Sequence, residues 1–144
     1  MAAASSSFNA QAIAAAQAGQ TQELYELLVE YSAANSDAPM AIDCRDALGQ
    51  DEAGLTALHA AVFSGSADCV RVLLSARANV DVGEANGATA LQIAAAVGAS
   101  DILLLLLRAK AQLDKRDSSG QTALHAACSN DNSAGCVLAL LEAR

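Results

Sequence analysis

At 144 residues the chain has room for one domain. Apolar residues make up 53 % but aromatics only 3 %, so the expected core is alanine and leucine, suited to close helix packing and unsuited to a ring-lined pocket. A net charge of −8 argues against non-specific nucleic-acid binding, which requires phosphates to be neutralised, and against docking on anionic membranes. The charge is uneven: Met1 to Cys44 holds five acids (Glu23, Glu26, Glu30, Asp37, Asp43) and no Lys or Arg. That fits a basic partner or, equally, a solvated surface that aids solubility.

Residues 1–9 are Ala/Ser-rich and expected to be loose. Their hydroxyls and lack of acids resemble an organellar transit peptide, but arginine is absent and a helix is expected to follow at once. No basic n-region or apolar h-region marks a secretory signal. The expected location is intracellular, cytoplasmic or nuclear, with an organelle as the alternative.

Ala10 to Ala33 reads as two helices around a turn at Gly19. Ala12, Ile13, Ala15 and Ala16 face inward before it. Leu24, Leu27 and Leu28 do so after it, with the glutamates on the other side. Ser32 to Glu52, which holds Pro39 (the only proline), reads as an enlarged loop.

From Gly54 the chain repeats itself. Gly54-Leu55-Thr56-Ala57-Leu58-His59-Ala60-Ala61, Gly87-Ala88-Thr89-Ala90-Leu91-Gln92-Ile93-Ala94 and Gly120-Gln121-Thr122-Ala123-Leu124-His125-Ala126-Ala127 stand 33 residues apart. A fixed period of this size marks a stacked solenoid. In the first copy Thr56 is placed to cap a short helix, Gly65 to reverse the chain, and Ser66 and Asp68 to open a second helix. Val70, Val72, Leu73 and Leu74 face that helix inward, and Ala78-Asn79-Val80-Asp81 leads out. Thr89, Gly98, Asp101, Leu106-Leu107 and Ala111-Gln112-Leu113-Asp114 repeat the plan; Leu140-Leu141 comes one residue late, which places one extra residue in the Ser129–Ser133 turn. Asp51, Glu84 and Asp117 share the period and read as turn stabilisers.

Little here suggests chemistry. Cysteines 44, 69, 128 and 136 show no CxxC spacing and the histidines are far apart, so neither a metal site nor a cofactor is expected. Cys69 takes the place that Ile102 holds in the next copy and reads as a small buried hydrophobe in a reduced, intracellular chain. No nucleophile is matched with a base, and Asp51-Glu52 lies on an expected loop without a pocket. The apolar run Ile102–Leu107 is far short of the ~18 residues a membrane span needs. It reads as a buried helix, except that Leu104 matches Arg71 and is expected on the outer surface, as an apolar patch or a second contact site.

The TALH-AA start, glycine turn, leucine pair and Ala-Asn-Val-Asp exit resemble the ankyrin repeat over about Ala12 to Arg144. The resemblance implies an all-α repeat solenoid of helix–turn–helix units joined by β-hairpin-like loops. The repeat domain is expected over 10–144, with repeats near 10–50, 51–83, 84–116 and 117–144, the first divergent and capping. It implies a non-catalytic module that binds a protein partner, a peptide or helix laid across its concave face, and a structural, loop-tying role for His59 and His125. The implied contact residues are Glu52, Ala53, Leu55, Ala85, Asn86, Ala88, Ser118, Ser119 and Gln121 at hairpin tips. At first-helix ends they are Phe63, Ser64, Ala96, Val97, Ser129 and Asn130. Phe63 is the expected anchor, because rigid aromatics dominate many interfaces. Ala57, Ala90 and Ala123 replace the family's proline, Arg77 and Lys110 its helix-ending glycine, and Gln92 its histidine. The chain reaches Arg144 without a polar closing repeat, so either the last helix caps itself or the protein continues. A permanent subunit or assembly factor of a complex, and a regulatory fragment of a larger enzyme or channel, are the alternatives; oligomeric state is open.

Overall fold

The expected turns and caps become helix boundaries in the computed structural model, which describes residues 2–35 and 54–144. Among the described residues there are eight helices and no strand: α1 (Ala2–Gln17), α2 (Thr21–Asn35), α3 (Ala57–Ser64), α4 (Ala67–Ser75), α5 (Ala90–Val97), α6 (Ser100–Arg108), α7 (Ala123–Cys128) and α8 (Ala134–Glu142). Successive helices pair into antiparallel hairpins, and the chain divides into two compact units, Met1–Asn79 and Val80–Arg144.

In the first unit α1 packs beside α3 and α2 beside α4. The seam is built from small side chains: Ala12, Ala15 and Ala16 of α1, and Ala57, Ala60 and Ala61 of α3, are all buried. Leu24 and Leu28 of α2, with Cys69, Val70 and Leu73 of α4, fill the space between the second helices and the first. Cys69 is fully buried and free, as its place in the repeat implied, with its sulfur 3.4 Å from the Thr21 hydroxyl.

Two helices run further than the sequence suggested. The helix expected from Ala10 begins at Ala2, and α2 continues to Asn35, through the first residues assigned to the loop. Alanine is the strongest helix former and is frequent in both extensions. Phe8 is buried and stacks on Tyr31 at a centroid distance of 4.3 Å, joining the early turns of α1 to the late turns of α2. The rest of the enlarged loop, with Pro39, Cys44 and Asp51, lies outside the described residues.

The second unit repeats the plan, with α5 beside α7 and α6 beside α8. Leu91, Leu103 and Leu106 are fully buried. The first leucine of each pair, Leu73, Leu106 and Leu140, is buried; the second is half-buried at Leu74 and Leu107 and exposed at Leu141. Helices of eight or nine residues are marginal alone in water, so their stability comes from this burial. The late leucine pair is explained where expected: α7 ends at Cys128, and Asn130 to Asn132 form a longer turn closed by Ser133 N–H donating to Asn130 O at 3.1 Å.

The caps show why these segments start and stop. Thr56 and Thr89 accept the N–H of the third helical residue, His59 and Gln92. Gly98 ends α5 with φ 79°, and a Cβ there would lie 3.3 Å from Asn132 O. The second helices end differently. Arg77 and Lys110 take φ 60° and 63°, the left-handed conformation that glycine favours. Each completes a Schellman motif: Ala78 N–H to Leu73 O at 3.0 Å and Arg77 N–H to Leu74 O at 3.1 Å, then Ala111 N–H to Leu106 O at 3.1 Å and Lys110 N–H to Leu107 O at 3.0 Å. The left-handed helix end therefore forms here without glycine, at the cost of backbone strain. Lys110→Gly is expected to raise unfolding free energy by about 0.5–1 kcal/mol, the relief of a left-handed residue less glycine's greater unfolded entropy. A urea melt checks this through a higher midpoint at unchanged slope.

Candidate protein-binding face

The surface in question consists of the turns before α5 and α7 and the ends of the first helices. In the second unit each turn is a tight hairpin-like loop. Glu84 N–H donates to Ala88 O at 2.9 Å and Gly87 N–H to Glu84 O at 2.7 Å. One period on, Asp117 N–H donates to Gln121 O and Gly120 N–H to Asp117 O, both at 3.0 Å. The Asp117 carboxylate accepts from Ser119 N–H and Gln121 N–H at 2.9 Å each, the turn-stabilising role expected of it. Glu84 performs it through its main chain.

Gln92 ties the two loops together. Its Oε1 accepts the Thr89 N–H at 2.7 Å, completing the capping box of α5. Its Nε2 donates to Lys115 O at 2.8 Å and to Gln121 O at 2.7 Å. The amide carries an acceptor at one end and two donors at the other, so it caps its own helix and holds the next loop. His59 and His125 cap their helices in the same way, each Nδ1 accepting the N–H of Thr56 or Thr122 at 3.1 Å. Further ties run beside it. Ser118 N–H donates to Asn86 O at 2.9 Å, Asn130 Nδ2 to Ala96 O at 2.7 Å, and Ser133 Oγ to Ala95 O at 3.0 Å. Below the loops, Gln112 N–H donates to Asp81 Oδ1 at 2.8 Å and Lys115 Nζ donates to Asp81 O.

These bonds bring expected contact residues together in pairs, Asn86 with Ser118 and Ala96 with Asn130. In this unit Ala85, Asn86, Ser118, Ser119 and Gln121 are exposed at the tips, with Ala88 half-buried. Ala96, Val97 and Ser129 are exposed at the helix ends, with Asn130 half-buried. In the first unit Leu55 is half-buried, while Phe63 and Ser64 are exposed, Phe63 by 55 %. Glu52 and Ala53 lie outside the described residues.

The outer face of the second helices also behaves as its pattern implied in one respect. Leu104 is exposed by 45 %. Leu138, at the matching position of α8, is exposed by 62 %; the extra residue in the preceding turn shifts it out of the 33-residue register, so the offset alone does not find it. In the first unit the matching residue is Arg71, paired with Asp68 at 2.9 Å on the surface.

A groove of about 640 Å³ on the second unit was not foreseen. Asp114, Arg116, Leu124, His125, Cys128 and Arg144 are among the residues that line it, and Asp114 lies 3.9 Å from Arg144. Its residues come from a loop, a first helix and the last residue, which no single stretch of sequence brings together. Among the described residues no group of three or more His, Cys, Asp or Glu is placed to hold a metal. Burial raises the Cys136 thiol above its ordinary value, which disfavours the reactive thiolate. No described helix is long and apolar enough to cross a membrane.

Paired helices, capped by threonine, reversed at glycine and joined by tied hairpin-like loops, define a helical-repeat protein. A family model for ankyrin repeats in 3 copies matches residues 4–84 and 76–144, and the chain belongs to the ankyrin repeat family. Its fold class is the all-α repeat solenoid, and ankyrin repeats are generally non-catalytic modules of protein–protein interaction. No curated protein matches the chain.

Proposed function

We propose that this chain is a non-catalytic adaptor that binds a protein partner through its hairpin tips and first-helix ends. The domain is taken as 10–144, with repeats near 10–50, 51–83, 84–116 and 117–144. The observation that carries the reading is the exposure of Phe63 and Val97, by 55 % and 54 %, at first-helix ends in units built from short, rigidly capped helices. Apolar anchors on a rigid scaffold lose little entropy on binding. The surrounding residues are small and neutral (Ala85, Asn86, Ala88, Ala96, Ser118, Ser119), which suits an extended peptide or a helix and offers no cations for phosphate.

Capture from source lysate, quantified by mass spectrometry, tests this. The wild-type chain is expected to retain a protein partner whose affinity falls about 30-fold with Phe63→Ala/Leu55→Ala, the loss of a hot spot worth ~2 kcal/mol. Undiminished capture by a folded double variant sinks the reading. A second reading, a permanent subunit of a larger assembly, is favoured by Leu104 and Leu138 standing exposed at matched positions of α6 and α8. In that case Leu104→Ser/Leu138→Ser releases the partner and the Phe63 variant does not.

A further inference from the structure

We propose that Lys110 is a covalent modification site, whose side-chain amine accepts an acyl group from a short-chain acyl thioester such as acetyl-coenzyme A. The site lies outside the partner-binding residues proposed above and does not depend on them.

Composition narrows the acceptors first. Forming a stable amide from a thioester needs a primary amine that can shed its proton, and Lys110 and Lys115 are the only lysines in the sequence. The six arginines stay protonated and do not compete. Both lysines lie in Arg108–Arg116, a stretch that holds four of the eight cations and a single acid, Asp114. In a chain of net charge −8 this is the segment whose sign suits an acyl carrier bearing phosphates.

The fold then separates the two amines. Lys115 is half-buried and held at both ends: its main-chain O accepts Gln92 Nε2 at 2.8 Å, and its Nζ donates to Asp81 O. Gln112 N–H, donating to Asp81 Oδ1 at 2.8 Å, fixes that partner in place. Lys110 is exposed. Its backbone is set at the left-handed end of α6, with φ 63° and its N–H donating to Leu107 O at 3.0 Å. Among the described residues no hydrogen bond or ion pair holds its ammonium. The Lys115 amine must leave its carbonyl before its lone pair reaches a thioester carbon, and the Lys110 amine pays no such cost.

The step balances without a further reagent. The neutral Nζ of Lys110 attacks the thioester carbonyl carbon; the C–N bond forms and the C–S bond breaks. Sulfur leaves with the bonding electron pair and takes up the proton that nitrogen releases, so the products are an amide on Lys110 and a free thiol. The amide is uncharged. It removes a cation from the C-terminal end of α6, where a cation complements the helix dipole, and leaves the chain one unit more negative.

Incubation of the full native chain with acetyl-coenzyme A in mildly alkaline buffer tests this, with acetylation at each lysine followed by peptide mass spectrometry. Lys110 is expected to react about tenfold faster than Lys115, the factor that a charge-assisted hydrogen bond imposes on the tethered amine. In urea beyond the unfolding midpoint the two rates should converge, because the tie to Asp81 is gone. Lys110→Arg, melting like the wild type, should lose the fast acetylation, while Lys115→Arg and Phe63→Ala leave it unchanged. Equal rates at the two lysines of the native chain overturn the proposal. So does a preference for Lys110 that persists in urea, since local sequence and not the fold would then set it.

Discussion

Gln92→Glu is expected to cost the second unit about 4 kcal/mol at neutral pH, out of the ~5–15 kcal/mol that holds a domain folded. The substitution keeps the shape and the acceptor that receives the Thr89 N–H. It removes the amide that donates to Lys115 O and Gln121 O and turns a carboxylate oxygen toward both carbonyls. The site is 4 % exposed, so little water is present to compensate. Each stranded acceptor costs roughly 1–3 kcal/mol, and the buried charge adds to that. Protonation returns one donor, so the glutamate's folded pKa rises above the unfolded value of about 4.3. The folded variant then holds a proton that the unfolded chain has released. Its stability falls as pH rises from that value through the folded pKa and is least damaged in acid. Gln92→His, by contrast, is expected to cost only about 1 kcal/mol: Nδ1 accepts at the cap, as in His59 and His125, and Nε2 keeps one of the two donations. Urea melts of the three proteins at neutral pH and near pH ~4.5 separate these outcomes. A Gln92→Glu variant as stable as wild type at neutral pH would show that the amide does not tie the loops.

Leu106→Ala is expected to cost about 3 kcal/mol, while Leu104→Ala, two residues away on the same helix, costs less than about 1 kcal/mol. Leu106 is fully buried where α6 meets its neighbours. Removing its side chain opens a cavity that short capped helices on both sides cannot collapse to fill. Leu104 is 45 % exposed and leaves no cavity. Thermal melts of both variants check the pair. Equal losses would contradict the assignment of α6 into a buried and an exposed side, and with it the reading of Leu104 and Leu138 as an outer patch.

That contrast also shows how far the chain can be read without coordinates. Within Ile102–Leu107 hydropathy alone cannot distinguish one leucine from another, yet the 33-residue offset to Arg71 correctly sets Leu104 outside. The same offset identified Cys69 as a buried hydrophobe and located the extra residue before α8. It failed where a side chain's role depends on what lies opposite. Gln92 stood out as a departure from the family's histidine, but its double tie to Lys115 and Gln121 needs partners 23 and 29 residues away. Arg77 and Lys110 stood out for want of a glycine; that they adopt its backbone conformation anyway follows from the helix-end hydrogen bonds that hold them there.

The repeat, its class and its punctuation are legible in the residues alone. Threonine caps, glycine reversals and leucine pairs act within a few residues, where backbone sterics and local hydrogen bonds decide the outcome, and each recurs every 33 positions. Which surfaces these units leave open depends instead on how the helices pack. Phe8 on Tyr31, the tie from Gln92, and the groove where Arg116, His125 and Arg144 meet each join residues that are distant in the chain. Their proximity results from packing hairpin against hairpin, and a linear pattern carries no record of what that packing brings face to face.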